Sequence, residues 1–190
     1  MRLFVAVYPT ETVADRFAAF IAELGIGRAA GQGVNARVAA RPTWHITLAF
    51  LGDVPDQRQP DAEAAVGRAV DGWSAGAPRV RLAGGGTFGR RKFTVMWAGL
   101  AGDVPALRAL SQRVRRELKR AKLPYDTKPF RPHLTVARPG DRVDADVLAA
   151  DLAALKAYEG PEWTVPEVRL VRSHLGPKPS YDRLAGWPLG

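Results

Sequence analysis

The sequence of 190 residues contains no cysteine and only three histidines. Without cysteine there are no disulfides, thiolate zinc sites, iron–sulfur clusters or cysteine nucleophiles, and the chain suits a reducing compartment, so a cytoplasmic location is expected. Long apolar runs are also missing. The stretches Leu3 to Tyr8 and Phe17 to Ala22 fall far short of the roughly 20 residues that cross a bilayer. Pro9 and Glu11 arrive too soon for the apolar core of a secretory signal, so neither a leader nor a membrane partner is expected. Negative charge is scarce as well: 28 Lys and Arg face 19 Asp and Glu, a net charge of +9. What is present is ordinary for a folded chain, with 46% hydrophobic and 25% charged residues, enough to bury roughly 70% of the extended surface on folding. We expect one domain over residues 1–190 and a monomer.

Residues 2 to 8 read as a strand ended by Pro9, which cannot continue a central strand. Val13, Phe17, Phe20, Ile21 and Leu24 recur at helical spacing, and the helix is expected to end near Gly25 and Gly27, with a loop to Val34. A short strand near Val38, a strand from His45 to Leu51, a helix over 59–73 and a strand from Val80 to Ala83 follow. The triglycine Gly84 to Gly86 lacks both the Lys-Ser/Thr of a phosphate-binding loop and dinucleotide-fingerprint spacing, so it reads as a flexible loop. Next come a strand over 93–100, a basic helix from about Pro105 to Ala121, a strand from His133 to Ala137, a helix around Asp146 to Lys156, a strand from Trp163 to Arg172 and a Pro-rich tail. Strict βαβ repetition is absent, which predicts an α+β fold with largely antiparallel sheets.

Two of the three histidines lie in near copies of one motif, His45-Ile46-Thr47-Leu48 and His133-Leu134-Thr135-Val136. In a strand, residues i and i+2 share a face, so each His and Thr point one way and the apolar pair points to the core. A lone His or Thr on a strand is an ordinary surface residue; the repetition of a polar-apolar alternation in a histidine-poor chain is not. Zinc would need three or four ligands, and only His174 remains, with no Cys and no carboxylate at positions 47 or 135. Neither metal nor cofactor is expected. Two imidazoles facing one cleft suit in-line displacement at phosphorus, one neutral ring deprotonating the attacker and one charged ring protonating the leaving oxygen. Thr47 and Thr135 would hydrogen-bond the nonbridging oxygens, and Arg131, on the same strand face if the strand starts early, would add a bidentate phosphate contact.

With these motifs the sequence resembles the two-histidine (2H) phosphoesterases, and within them the RNA 2′,3′-cyclic phosphodiesterases, historically called 2′-5′ RNA ligases. Arg2 to Val7, His45 to Gly52, Phe130 to Arg138, and Leu170 to Leu184 with Ser173 and Tyr181 carry the resemblance. It implies a bilobal α+β fold with pseudo-twofold symmetry, two mainly antiparallel sheets flanking a central cleft and helices outside. It also implies that His45 is the proton donor to the leaving 3′ oxygen and His133 the proton acceptor that activates water, leaving a 2′-phosphate. The reverse reaction would join ends through a 2′-5′ linkage.

The +9 charge then suits an RNA or oligonucleotide partner with a cyclic phosphate end. Phe88 followed by Arg90, Arg91 and Lys92, and Tyr181 near the C-terminus, are candidate RNA contacts. The helix carrying Arg108, Arg113, Arg115, Arg116, Lys119, Arg120 and Lys122 reads as a solvated face that also attracts RNA at range. His174 is read as a structural or surface residue. Two alternatives stay open: a phosphodiesterase for a small nucleotide such as ADP-ribose cyclic phosphate, and a noncatalytic RNA-binding module.

Overall fold

A computed structural model describes residues 1–89, 94–139, 142–176 and 179–190. The expected strand over Phe93 to Leu100 therefore begins outside the described residues, as do the candidate contacts Arg90, Arg91 and Lys92. Eight strands, β1 (Arg2–Val7), β2 (Ile46–Asp53), β3 (Arg79–Phe88), β4 (Val95–Gly102), β5 (Leu134–Ala137), β6 (Glu159–Thr164), β7 (Glu167–His174) and β8 (Ser180–Pro188), form one antiparallel sheet in the order β6-β3-β4-β5-β2-β1-β7-β8. The helices are α1 (Glu11–Glu23), α2 (Gly25–Gly31), α3 (Gln59–Asp71), α4 (Val104–Arg120) and α5 (Ala145–Ala157).

The sheet has two quartets that meet at one place. β2 and β5 pair through Ile46 and Leu134, so the two expected sheets are joined edge to edge by a minimal seam. One quartet is the consecutive run β3 to β6, and the other joins β1 and β2 to β7 and β8 from the far end of the chain, β7 pairing with β1. No single cut in the chain separates the quartets.

β1 is apolar along its length because both of its faces are covered. Leu3, Val5 and Val7 join the main core with Phe17 and Ile21 of α1, Ile46 and Leu48 of β2, and Leu107 and Leu110 of α4. Phe4 and Ala6 point the other way and form a second small cluster with Val171, against which Tyr8, Phe50 and Tyr181 pack. The helices thus back one face of the sheet, and the face of Phe4 and Tyr181 is left for the cleft.

Several expectations about elements are corrected. Gly25 opens α2 instead of a loop, because the backbone N–H groups of Gly25 and Ile26 donate to Asp151 Oδ1 and Oδ2 of α5 at 2.7 and 2.8 Å. A buried carboxylate remote in sequence caps this helix, and nothing local announces it. The triglycine is strand rather than loop: β3 runs through it with a register shift between Leu82 and Gly85. A side chain at Gly85 would fall 2.5 Å from Leu155 of α5, and one at Gly86 2.7 Å from the Trp97 ring, so these glycines permit close packing instead of flexibility. Val38 makes an isolated bridge to Ala137, not a strand. The long strand expected from Trp163 divides into β6 and β7 around Pro166, and the Pro-rich tail contains β8, paired along β7.

Candidate active site

The two histidines flank the seam. In antiparallel register around Ile46 and Leu134, His45 falls opposite Thr135 and Thr47 opposite His133, so all four share one face and the imidazoles lie diagonally across it. Ile46, Leu48, Leu134 and Val136 are fully buried on the other face, and the four polar residues are half-buried.

Both rings are held in the same way. His45 Nδ1 lies 2.7 Å from the Thr43 carbonyl oxygen, and His133 Nδ1 lies 2.7 Å from that of Arg131. A carbonyl only accepts, so Nδ1 carries the hydrogen in each case and Nε2 is left to take or give a proton. The Thr43 carbonyl is fixed by a tight turn over Arg41–Thr43. Arg41 ties that turn to Glu11 and Asp15 of α1, and the buried Trp44 donates through Nε1 to the Ala39 carbonyl.

The surroundings break this symmetry. His45 stacks on Phe4 with centroids 4.6 Å apart, meets Tyr181 edge-on at 5.3 Å and lies 5.9 Å from Tyr8. Burial in this aromatic box pushes the His45 pKa down to about 4; the Thr43 carbonyl, which favours the charged ring, opposes the shift, and the charge of His133 adds to it. Burial also pushes the Tyr8 phenol up to about 12, against the nearby Arg169 guanidinium, so Tyr8 remains a hydroxyl donor. His133 meets Phe88 edge-on at 4.9 Å and Trp97 at 6.3 Å.

Two cavities open beside His133. One of about 450 Å³ is lined by Phe88, Trp97, Arg108, Phe130, Arg131 and His133 among others. The second, of about 520 Å³, includes Thr47, Phe50, Arg115, Lys128, Arg131 and His133 in its wall. Arg131 borders both, but β5 begins at Leu134, so it stands in the segment before the strand and not on the strand face. The basic helix α4 divides by direction: Arg108 and Arg115 line the cavities, whereas Arg113 donates to Ala69 of α3 and Arg120 pairs with Glu117. Tyr181 is brought to His45 and Phe88 to His133. His174 does not enter the site; instead of following the last strand, it ends β7 and bonds Asp182 of β8 at 2.6 Å. No group of three or more His, Cys, Asp or Glu among the described residues could hold a metal ion.

Sequence reasoning passed over Phe4, Tyr8, Trp97, Phe130 and Lys128. The alternation of Phe4, Ala6 and Tyr8 between Leu3, Val5 and Val7 is a period-two signal for the first pair, hidden because both faces of the strand are apolar. Trp97 and Phe130 carry no such signal.

Known proteins resemble this chain in sequence and in fold. The family model described as the 2′-5′ RNA ligase superfamily matches residues 13–177. An RNA 2′,3′-cyclic phosphodiesterase of Thermus thermophilus is 31% identical over 208 residues, spanning 100% of this chain and 90% of that protein. One of Geobacillus stearothermophilus is 36% identical over 150 residues, 77% of this chain; the match spans only 45% of that longer relative. Among solved structures, the Thermus thermophilus protein TT0787 has a TM-score of 0.72 at 29% identity, over 100% of this chain and 98% of its own. E. coli LigT complexed with 3′-AMP shares the fold, with a TM-score of 0.74 at 22% identity over 99% of this chain and 97% of its own.

Proposed function

The chain belongs to the 2′-5′ RNA ligase superfamily, and on that premise we propose that it hydrolyses the 2′,3′-cyclic phosphate ends of RNA or oligonucleotides to 2′-phosphates without a metal. The observation that carries this reading is the matched tethering of His45 and His133, each with Nδ1 bonded to the carbonyl two residues upstream and Nε2 left over.

With the cyclic phosphate between the two rings, His133 Nε2 takes a proton from water as its oxygen attacks phosphorus. The bond from phosphorus to O3′ breaks, and His45 Nε2 delivers its proton to that oxygen. The hydroxyls of Thr47 and Thr135 donate to the nonbridging oxygens, where charge gathers, and Arg131 supplies a further cation. A pKa of about 4 leaves His45 neutral in the free protein at pH 7. The phosphodiester anion stabilises the charged ring when it binds, so the proton donor is made ready by its own substrate. Run backwards with a 5′-hydroxyl in place of water, the same steps form a 2′-5′ linkage.

Phe88 and Tyr181 offer faces and edges for bases, and the surplus of Lys and Arg guides the polyanion, with Arg90, Arg91 and Lys92 continuing it from Phe88 in sequence. The absence of cysteine supports a cytoplasmic enzyme, which we take to be a monomeric single domain over residues 1–190; no helix among the described residues is long and apolar enough to cross a membrane.

The test is hydrolysis of an oligonucleotide 2′,3′-cyclic phosphate in excess chelator. The protein is expected to produce a 2′-phosphate end, and His45→Ala or His133→Ala to lose about 10²–10⁴-fold in rate while remaining folded by circular dichroism. Undiminished turnover in either variant would overturn the assignment.

A further inference from the structure

The larger cavity beside His133 holds more than the reaction consumes. Its wall joins Thr47 and His133, where the reacting phosphate is proposed to sit, to Arg115, Lys128 and Arg131, three cations against the single carboxylate of Asp126. The arrangement is anchored at both ends. The Asp126 backbone N–H donates to the Phe50 carbonyl of β2 at 2.8 Å, and Arg115 Nη1 donates to the Lys128 carbonyl at 2.7 Å. Two positive groups are left underused. Arg115 lines the cavity and is held in place by Nη1 on the Lys128 carbonyl, with no carboxylate paired to its guanidinium among the described residues. Lys128 Nζ reaches Asp126 only at 3.8 Å, with its side chain 85% exposed.

From this we infer a second anion subsite, resting on the function proposed above: Arg115 and Lys128 bind a phosphate carried on the 5′ carbon of the same ribose that bears the cyclic phosphate. A guanidinium fixed by one backbone contact suits a phosphate oxygen, and a mobile ammonium adds charge without demanding one geometry. That group occurs both in an oligonucleotide, as the link to the preceding nucleotide, and in a small nucleotide such as ADP-ribose cyclic phosphate, as part of a pyrophosphate. The subsite thus selects a 5′-phosphorylated ribose, and strand length matters only beyond it.

The experiment compares kcat/KM for adenosine 2′,3′-cyclic phosphate with a free 5′-hydroxyl, the same compound with a 5′-phosphate, the dinucleotide ending in the cyclic phosphate, and ADP-ribose cyclic phosphate. The 5′-phosphate is expected to raise kcat/KM about tenfold or more, the gain of one charge-assisted contact. In Arg115→Met and Lys128→Gln the ratio of the two mononucleotides should collapse toward one, and Lys128→Arg should restore it, which a merely structural role would not do. A further rise with the dinucleotide points to RNA as the source of the phosphate, and one with ADP-ribose cyclic phosphate to the small nucleotide; each supports the subsite. Equal rates for the two mononucleotides in the unaltered protein, or a ratio unmoved by both variants, would overturn the subsite alone. Failure to hydrolyse any of the four would overturn the function beneath it as well.

Discussion

Ile46 and Leu134 face each other as the one residue pair between β2 and β5, and that contact both joins the two quartets and sets His45 and His133 on a common face. A histidine next to the pair in each strand segment is thereby aimed at the same space from opposite directions. The local geometry is repeated, down to the carbonyl two residues upstream, yet the environments differ, with an aromatic box around one ring and open cavities beside the other.

The aromatic box predicts an unusual pH profile. Free-enzyme ionisations appear in kcat/KM, and with His45 held at about 4 the acidic limb should lie near pH 4 instead of near 6.5. Removing the Tyr181 ring, 5.3 Å from His45, admits water and should move that limb upward. A limb near 6.5 in the unaltered protein, or one that stays put in Tyr181→Ala, contradicts the role given to burial.

The same shift makes a prediction about stability. His45 binds its proton less readily folded than unfolded, so its contribution is complete above the ordinary histidine pKa and is lost as pH falls toward about 4. At pH 4.5 the loss should amount to about 2 kcal/mol. Denaturant titrations at pH 7 and 4.5 should therefore differ less for His45→Gln than for the unaltered protein; an identical difference would refute the buried neutral ring.

Thr47 and Thr135 should act on the transition state more than on binding. Each Thr→Val change is expected to lower kcat by about 10²-fold, the usual cost of one donor to developing oxyanion charge, with KM nearly constant. Serine at either position should keep most of the rate. If KM rises while kcat holds, the hydroxyls serve only to bind.

Gly86 leaves room for the Trp97 ring beside His133. An added Cβ would lie 2.7 Å from the Trp97 ring, and that ring lies 6.3 Å from His133. Gly86→Ala should cost about 1–3 kcal/mol through overpacking and perturb the indole fluorescence of Trp97, read against a Trp97→Phe control. Unchanged stability and an unchanged spectrum would show that the strand yields without moving the ring.

The pairing of the two histidine motifs was legible in the order of the residues. Two His-x-Thr motifs with alternating apolar partners specify which side chains face a cleft and which face the core, because a strand has a period of two. The helical stripes of α1 and α4 and the absence of cysteine were equally open to reading, being properties of neighbours along the chain or of composition. Other features depend on residues far apart in sequence, and only folding settles them. Asp151 turns Gly25 from a stop into a start. Pairing with Ala98 and Trp97 of β4 makes Gly85 and Gly86 strand, and β7 makes β8 of the tail. The difference between the two histidines belongs here too. Desolvation is set by the rings that two segments remote in sequence, β1 with its continuation to Tyr8 and β8, bring around His45, so two motifs that read alike in the sequence acquire different proton affinities in the fold.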